Sequence, residues 1–563
     1  MGVEYVFMVT GGGAMFLNDG IAKSKIKGVF NHHEQACAMA ALGYSKVSNK
    51  VGVVMPTTGC GSTNTITGLL DAWQDSNSVL FISGNVNKNE MTYYSDVPLR
   101  KFGVQEANIL EIVDSITKYS VCIDDPSDIA HELERAWHIC TTGRRGPVWI
   151  DIPLDVQGKM VDEDDLVHFS PPFLKEDEPD YSDLVRMLVD SSRPVIIAGY
   201  GIHLGGAREE FLEFVERHKI PCTFTYLGVD LLPSSDTLHI GRLGTKGTRA
   251  GNFAVQNADL VLVLGSSLNV SVTGFRYETF APKAKVVVID IDENEHKKGT
   301  VRVDLFIKDD VKNFLKRRFK LRDISGWSAK CLHWKEIWGG LKKEMVSKDR
   351  INIYQFLDAL SNRLKKGIVV SDAGSAYYCT SQFISLNSQS RYITSGAQAD
   401  MGFTIPCSIG VSIAGNDVYG VTGDGSFQMN IQELQTIVNY NLPIKIFVLN
   451  NGGYLSIRNT MDKFFSSRYM GVDEKTGIKL PDLHKIANAY GIPFYRLATA
   501  KDLDIVLPWA MRDRMAIVEV ICPYKQDVVP SSSAKEVDGK LTSQPLDNMY
   551  PFLSDEEYKR ESV

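Results

Sequence analysis

Two short polar segments combine an acid, an amide and several glycines in the way that a metal–phosphate site requires. The first reads Gly423-Asp-Gly-Ser426, and the second reads Asn450-Asn-Gly-Gly-Tyr454. A carboxylate and an amide oxygen beside phosphate oxygens form the hard-oxygen ligand set that suits Mg²⁺. Glycine lets the backbone come close to such a ligand. These residue types therefore predict a site for Mg²⁺ and a phosphate group.

The two segments lie at the ends of one predicted β–α–β unit. Val418–Thr422 and Ile444–Leu449 read as buried strands, and a helix is predicted between them from apolar residues spaced three and four apart: Phe427, Ile431, Leu434, Ile437 and Val438. Parallel sheets bind ligands at the carboxyl ends of their strands, so Asp424 and Asn451 are expected to meet there. A helix that starts near Ser426 directs its free N–H groups at an anion.

A carboxylate near the start of the chain is a second candidate. Glu34 follows a strand-like run, Ile26–Phe30, and begins an Ala-rich helical stretch that continues over Gln35–Lys46. A glutamate in the first turn of a helix usually only compensates the helix dipole. By itself, the position of Glu34 therefore leaves a structural and a chemical role open.

The Gly423–Tyr454 region resembles the diphosphate-binding motif of thiamine-diphosphate enzymes. Asn31-His-His-Glu-Gln-Ala-Cys-Ala resembles the activating-glutamate segment of the acetohydroxyacid synthase (acetolactate synthase) family. The resemblance implies thiamine diphosphate and Mg²⁺ as cofactors, with the metal held by Asp424, the Asn451 side chain and the Gly453 carbonyl. It also implies that Glu34 hydrogen-bonds the aminopyrimidine ring of the cofactor and activates it by a proton relay.

Further segments extend the resemblance over nearly the whole chain. Pro56–Asn64 resembles the family's TSGPGATN loop, with Cys60 where proline is usual, and Gly103–Glu106 resembles its glutamine loop. Thr394–Phe403 resembles the segment whose bulky residue, here Met401, bends the cofactor. The implied catalytic residues are Glu34, Gln105 and His33. The implied cofactor-binding residues are Glu34, Thr58, Gly59, Asn64, Gly374, Ser375, Gln398, Met401, Gly423, Asp424, Gly425, Ser426, Asn451, Gly453 and Tyr454.

Four departures from the family bear on the substrate and on flavin. Thr460 stands where the family has a tryptophan that helps to select 2-ketobutyrate, and Ser271 stands where it has an arginine near substrate and flavin. Ala376 replaces a histidine that contacts the diphosphate, and Gly244–Arg249 keeps only part of the flavin-domain loop. Branched-chain acetolactate synthesis is therefore disfavoured, and FAD is left open. A polar acceptor pocket suits another electrophile, as in the acetolactate-synthase-like enzymes that build branched sugars.

Strand-like runs alternate with helical patterns along the chain, which is typical of βαβ units and parallel sheets. We predict an α/β protein with three doubly wound parallel-sheet domains, as in thiamine-diphosphate enzymes. Residues 1–168 form the pyrimidine-binding domain, 184–325 a central Rossmann-like domain, 350–530 the diphosphate-binding domain, and 531–563 a tail. Residues 169–183 are predicted to be a linker. NAD is not expected, because no complete G-x-G-x-x-G follows Gly199-Tyr-Gly201.

Composition excludes other classes of protein. The chain has 563 residues and a net charge of −7, so nucleic acid and anionic membranes are not expected as partners. No apolar run reaches the roughly 18 residues of a membrane span. Nine cysteines without a C-x-x-C pair indicate a reducing compartment. Val3–Val9 reads as a strand, so no signal peptide is expected, the location is predicted to be cytoplasmic, and the chain is expected to be short or to begin late.

The leading hypothesis is a decarboxylase and carboligase that joins a 2-keto acid donor, with pyruvate expected, to a carbonyl acceptor. The alternatives are decarboxylation or C–C hydrolysis without ligation, and a catalytically silent relative that keeps the cofactor. The resemblance implies a homodimer or homotetramer with active sites at the subunit interface. It leaves open the identity of the acceptor and any regulatory subunit.

Overall fold

The computed structural model describes residues 1–172, 178–537 and 540–563. Within them, three six-stranded parallel sheets follow one another along the chain. This arrangement confirms the predicted α/β class with three parallel-sheet domains. The predicted domain limits remain predictions.

The first sheet has the order β2-β1-β3-β4-β6-β5. Its strands are β1 Tyr5–Met8, β2 Lys27–Phe30, β3 Gly52–Met55, β4 Val79–Asn85, β5 Tyr119–Cys122 and β6 Val148–Pro153. Its helices are α1 Met15–Lys23, α2 Glu34–Ser48, α3 Cys60–Thr63, α4 Ile66–Gln74, α5 Ile109–Val113, α6 Ile129–Thr141 and α7 Leu154–Gln157. The predicted first strand is thus shorter than Val3–Val9.

The second sheet has the order β12-β11-β10-β7-β8-β9, so the chain order reverses between β7 and β10. The strands are β7 Pro194–Ala198, β8 Cys222–Phe224, β9 His239–Arg242, β10 Leu260–Leu264, β11 Lys285–Asp290 and β12 Leu305–Lys308. The helices are α8 Ser182–Asp190, α9 Gly201–Leu204, α10 Arg208–His218, α11 Arg249–Gln256, α12 Val270–Thr273, α13 Val311–Leu315 and α14 Ser325–Trp338. Helix α14 packs Trp327, Cys331 and Trp334 into this domain's core.

The third sheet has the order β14-β13-β15-β16-β18-β17. Its strands are β13 Gly367–Ser371, β14 Ser390–Thr394, β15 Val418–Gly423, β16 Ile444–Asn450, β17 Phe494–Leu497 and β18 Ala516–Ile521. Its helices are α15 Ile353–Ser361, α16 Gly374–Phe383, α17 Thr404–Ile413, α18 Leu434–Asn439, α19 Leu455–Phe464, α20 Leu483–Tyr490, α21 Asp502–Ile505 and α22 Leu507–Ala510. The adjacent β15 and β16 confirm the predicted β–α–β unit.

The helix inside this unit differs from the prediction of one regular α-helix. Residues Ser426–Glu433 form a 3₁₀ helix with a kink at Asn430, and α18 follows it. The Asn430 amide donates to the Gly402 carbonyl at 3.0 Å and to Gln35 Oε1 at 3.1 Å. Because these partners lie on other segments, the kink depends on tertiary contacts that apolar spacing does not reveal.

Helices α2 and α17 join the first domain to the third at almost backbone contact. A Cβ added to Gly410 would lie 1.8 Å from the Ala40 carbonyl oxygen, so glycine is needed at this crossing. The interface is lined by small buried residues, including Ala40, Ala41 and Cys407. The segment that begins with Glu34 is therefore held rigidly against the third domain of the same chain.

The tail crosses from the third domain to the second. It forms strands β19 Ala534–Val537 and β20 Lys540–Ser543 and helix α23 Asp555–Glu561. Leu546 and Met549 are buried, and the Glu561 carboxylate accepts from Lys330 Nζ at 2.7 Å. This polar tail is thus anchored on the central domain.

The predicted linker is only partly described, since residues 173–177 lie outside the described residues and α8 begins at Ser182. None of the helices in the described ranges is long and apolar enough to span a membrane. All nine cysteines are free thiols.

Candidate active site

Asp424 lies at the centre of a turn that its own hydrogen bonds hold together. Its side chain is 2% exposed. Oδ2 accepts from the backbone N–H groups of Asn451 at 3.1 Å, Gly452 at 2.8 Å and Gly453 at 3.0 Å, and Oδ1 accepts from that of Gly425 at 2.9 Å. The ends of β15 and β16 thus bring Asp424 and Asn451 together, as their spacing predicts.

The chemistry of this turn fits a hard divalent cation. Burial raises the pKa of the Asp424 carboxyl to about 6, against the opposing effect of four backbone N–H groups. A buried carboxylate is stabilised by a neighbouring cation, and carboxylate, amide and backbone carbonyl oxygens are the ligands that Mg²⁺ takes. Elsewhere in the described ranges, no group of three or more His, Cys, Asp or Glu side chains forms another metal site.

Arg458 on α19 supports this turn and was not foreseen from the sequence. Its side chain is fully buried, and Nη2 donates to Asn451 Oδ1 at 2.8 Å, to the Asn451 carbonyl at 3.0 Å and to the Tyr524 carbonyl at 2.9 Å. Nη1 donates to the carbonyls of Gly452 and Val472. The guanidinium therefore fixes the amide oxygen that is expected to bind the metal.

Asp372 at the end of β13 is a second residue that the sequence analysis missed. Its Oδ2 accepts from the hydroxyls of Thr422 and Ser426, each at 2.7 Å. The Ser426 hydroxyl in turn accepts from the Gly402 N–H at 2.8 Å. Asp372 therefore ties the glycine turn to the segment that carries Met401.

The remaining predicted residues of the third domain lie at neighbouring strand and helix ends. Gly374 begins α16 with φ +57°, and the hydroxyls of Ser375 and Ser456 are 3.2 Å apart. The Tyr454 ring lies where a side chain on Gly425 would be. Gln398 and Met401 are half-buried in the loop after β14, and Gly423 ends β15.

Glu34 begins α2 in the first domain, as predicted. Its Oε2 accepts from the Asn64 amide at 2.9 Å. The preceding His33 caps the helix, because its Nδ1 accepts from the Gln35 N–H at 3.0 Å. The structure thus places Asn64 beside Glu34 and gives His33 a capping role.

The glycine loop after β3 packs directly on the glutamine loop. A Cβ on Gly59 would lie 2.0 Å from the Gln105 carbonyl oxygen, and Gly59 has φ +63°, so both space and conformation require glycine. The Thr58 hydroxyl donates to Asn85 Oδ1 at 3.0 Å. Gln105 itself is exposed, also with positive φ. Thr58, Gly59 and Gln105 therefore belong to one packed unit, and Gly61 of the same glycine loop lies beside Glu34, since a Cβ there would be 3.6 Å from Glu34 Oε1.

Glu433 joins the two halves of the candidate site within one chain. This fully buried carboxylate accepts from the Asn31 amide and the His32 N–H, both at 2.9 Å, and from the Thr436 hydroxyl at 2.7 Å. It ends the 3₁₀ helix whose first residue is Ser426. The Glu34 segment is thus tied to the far end of this helix, away from Asp424.

Comparisons with known proteins agree with this geometry. The family description "Thiamine pyrophosphate enzyme, N-terminal TPP binding domain" matches residues 1–112, the corresponding central domain matches 181–317, and the C-terminal TPP binding domain matches 372–520. These ranges include both Glu34 and the Asp424–Asn451 turn.

Full-length relatives show the same likeness. A probable acetolactate synthase large subunit of Methanocaldococcus jannaschii is 31% identical over 97% of this chain and 93% of its own length. The acetolactate synthase large subunit of Lactococcus lactis is 32% identical over 94% and 92%, and the chloroplastic acetolactate synthase of Arabidopsis thaliana is 31% identical over 94% and 80%. The chain therefore belongs to the thiamine pyrophosphate enzymes and is a thiamine-diphosphate-dependent enzyme similar to the acetolactate synthases.

Proposed function

We propose that this enzyme decarboxylates a 2-keto acid, with pyruvate as the expected donor, and transfers the resulting acyl-anion equivalent to a carbonyl acceptor. The observation that carries this proposal is the buried Asp424–Asn451 turn in a chain that also presents Glu34 at the start of α2. These residues would supply both halves of a thiamine-diphosphate site, which supports the proposal. A silent relative would not need to keep both.

The chain's own residues divide the work as follows. Asp424, Asn451 Oδ1 and the Gly453 carbonyl would hold Mg²⁺, and the Ser426 and Gly374 turns would hold the diphosphate. Glu34 would hydrogen-bond the aminopyrimidine ring nitrogen, donate its proton to it and take that proton back. When bound, thiamine diphosphate supplies the carbon nucleophile that attacks the keto group and takes up the charge left by departing carbon dioxide.

The other predicted residues would shape the cavity around the cofactor. Met401 would wedge it into a bent form, and Gln105 would face the reacting carbonyl from an exposed loop. The Asn64 amide holds one Glu34 oxygen, which restricts the carboxylate to one orientation. We assign His33 a supporting role, because its Nδ1 caps the helix.

We propose a homodimer or homotetramer whose active sites lie between subunits. Apolar side chains beside both half-sites are exposed in one chain: Val104, next to Gln105, is 77% exposed, and Met470 is 79% exposed. Leu99 and Phe102 before Val104, and Phe464 and Phe465 before Met470, are also exposed, and clustered exposed apolar side chains mark protein–protein interfaces. Since Glu433 ties the Glu34 segment to the far end of the 3₁₀ helix, Glu34 is available to a partner's diphosphate half-site.

FAD is a second cofactor that one observation favours. A cavity of about 1710 Å³ lies at the carboxyl ends of β7 and β10, where Gly201 packs against Gly265. Such switch points bind dinucleotides. Against FAD, position 271 offers only Ser271, whose carbonyl accepts from the Thr245 N–H at 2.8 Å. A flavin absorbance spectrum of the purified protein, recorded before and after FAD is added, shows whether the protein binds FAD.

Product analysis tests the proposed reaction. The protein, loaded with thiamine diphosphate and Mg²⁺, is incubated with pyruvate and a panel of aldehydes, ketones and keto sugars. We expect release of carbon dioxide and a ligation product that contains two carbon atoms more than the acceptor from which it forms. Free acetaldehyde with every acceptor would indicate a non-ligating decarboxylase, and no carbon dioxide despite bound cofactor would indicate a silent relative.

We also propose a cytoplasmic location, consistent with the free cysteines.

A further inference from the structure

Three cationic side chains gather where the central domain, the third domain and the tail meet. Lys246 follows β9 and is half-buried, with its Nζ 5.8 Å from the centre of the Tyr378 ring on α16. Lys463, exposed at the end of α19, and the buried Arg242 both act electrostatically on Lys246. Lys463 donates to Ser533, and the neighbouring Ser532 N–H donates to the Thr245 carbonyl at 2.7 Å, so the segments that carry Lys463 and Lys246 lie side by side.

These cations lack carboxylate partners. Among the described residues, the Lys246 side chain makes no hydrogen bond or ion pair, and the Lys463 ammonium donates to the Ser533 hydroxyl alone, at 2.9 Å. Arg242 donates through Nη1 to Ser381 Oγ at 2.8 Å and stacks on the Tyr226 ring at 3.9 Å, but its buried Nε and Nη2 have no hydrogen-bond partner. The buried Cys379 thiol and the exposed Asp527 carboxylate favour the charged form of Lys246, but neither forms an ion pair with it.

Buried and half-buried cations are normally paired, because taking a charge out of water is unfavourable. Here burial lowers the pKa of Lys246, and the neighbouring Lys463 and Arg242 lower it further. An anion placed among the three groups would relieve both effects. Lysines that only keep a protein soluble normally lie far from other cations with their side chains in water, unlike Lys246.

The cluster lies in line with the candidate active site. Ser456, Thr460 and Lys463 occupy positions i, i+4 and i+7 of α19, so they share one face of the helix. At the start of this face, Ser456 contacts Ser375 and lies 3.0 Å from where a Gly374 side chain would begin. At its other end, about 10 Å along the axis, is Lys463.

We propose that Lys246 and Lys463 bind an anionic group, a phosphate ester or a carboxylate, on the carbonyl acceptor. The acceptor would lie along the α19 face past Thr460, with its carbonyl near the cofactor and its charged group at the lysines. Arg242 adds positive charge from the protein interior beneath the two lysines. This inference rests on the proposed function, since it names the class of acceptor that the enzyme uses.

The test compares matched acceptors that differ in charge. Glyceraldehyde 3-phosphate is set against glyceraldehyde, and succinic semialdehyde against butanal, with pyruvate as donor and the holoenzyme throughout. We expect a lower KM for the charged member of one pair; which pair responds distinguishes phosphate from carboxylate. Lys246→Met and Lys463→Met should each raise that KM by roughly tenfold to a hundredfold, because each removes a charged hydrogen bond.

Controls separate this inference from the proposed reaction. Lys246→Arg should retain the lower KM for the charged acceptor, and Lys365→Met, at the opposite end of the third sheet, should not change it. None of these variants should affect carbon dioxide release from pyruvate alone. Equal KM values within both pairs, or a preference that survives both methionine variants, overturn the proposal while leaving the carboligase assignment intact. If no variant or wild-type protein releases carbon dioxide, calorimetric binding of glyceraldehyde 3-phosphate and of succinic semialdehyde to the cofactor-loaded protein decides it instead.

Discussion

Arg458 donates a hydrogen bond to the side-chain oxygen of Asn451 at 2.8 Å. This contact joins α19, which carries the proposed acceptor face, to the turn that is expected to bind the metal. Because the guanidinium also donates to the carbonyls of Gly452, Val472 and Tyr524, it ties the turn to two other segments of the chain. The proposed metal site and the proposed acceptor face thus share one helix.

Replacing Arg458 should weaken metal-dependent cofactor binding. Arg458→Met leaves the Asn451 oxygen free to rotate and several buried carbonyls unpaired, so we expect the Mg²⁺ concentration for half-maximal binding to rise about tenfold. The free energy of unfolding should fall by about 3 kcal/mol. Tryptophan fluorescence during thiamine diphosphate titrations at varied Mg²⁺, together with urea unfolding, measures both. Arg512→Met, on an exposed helix end, is the matched control; equal Mg²⁺ dependence in the two variants would contradict the role of Arg458.

Glu34→Gln should abolish most activity while sparing cofactor binding. A glutamine there still accepts a hydrogen bond from Asn64 but cannot exchange a proton with the cofactor. We expect the rate of carbon dioxide release from pyruvate to fall by roughly 10²- to 10⁴-fold. Glu209→Gln, exposed on α10, should match the wild type. Full cofactor-dependent activity in the Glu34 variant would show that the proton-relay mechanism is wrong.

Glu433→Ala should disturb the Glu34 end of the site from a distance. The change leaves the buried Asn31 amide and His32 N–H without an acceptor, so the free energy of unfolding should fall by roughly 3 kcal/mol. Carbon dioxide release at saturating cofactor should fall as well, because the segment before Glu34 loosens. Glu433→Gln keeps one acceptor oxygen and should recover part of both losses, whereas Glu474→Ala on the surface should change neither. An unchanged free energy of unfolding in the Glu433→Ala variant would contradict this prediction.

The β–α–β unit and the meeting of Asp424 with Asn451 could be predicted, because both depend on local strand and glycine-turn signals and on the rule that parallel strands align their carboxyl ends. Arg458 could not be predicted. It sits seven residues past Asn451 in an ordinary helical pattern, and its acceptors come from segments that only the folded chain brings together.

Two other differences have the same origin in tertiary contacts. Apolar spacing predicted one α-helix after Ser426, but contacts of the Asn430 side chain with Gly402 and Gln35 stabilise a kinked 3₁₀ helix. The tail begins with the polar Ser531–Ser533 and turns aromatic only at Tyr550, yet the apolar Leu546 and Met549 between these segments are buried and help to anchor it on the central domain. Isolated apolar positions give no periodic signal, so such docking is invisible without the structure.

A buried acid beneath the glycine loop gives the first domain a pH-dependent stability. Asp151 accepts from the Ser83 hydroxyl and, at 2.7 Å, from the Asn85 amide, and Asn85 Oδ1 in turn accepts from Thr58. Burial raises the pKa of Asp151 from 3.8 to about 6, against the effect of these two hydrogen bonds. Asp151 thus positions Thr58 at the candidate site through Asn85. Ionisation of the buried Asp151 carboxyl lowers the stability of the folded protein.

The sign of this effect sets the pH window. Between about pH 4 and pH 6 the native protein holds a proton on Asp151 that the unfolded chain has lost, so stability from this group falls as pH rises and is constant above. Asp151→Asn removes the slope. The wild type should therefore lose about 2 kcal/mol more than the variant between pH 4 and pH 7, measured by urea unfolding at both values. Asp114→Asn, exposed at a loop, should follow the wild type, and parallel curves for wild type and Asp151→Asn would contradict the assignment.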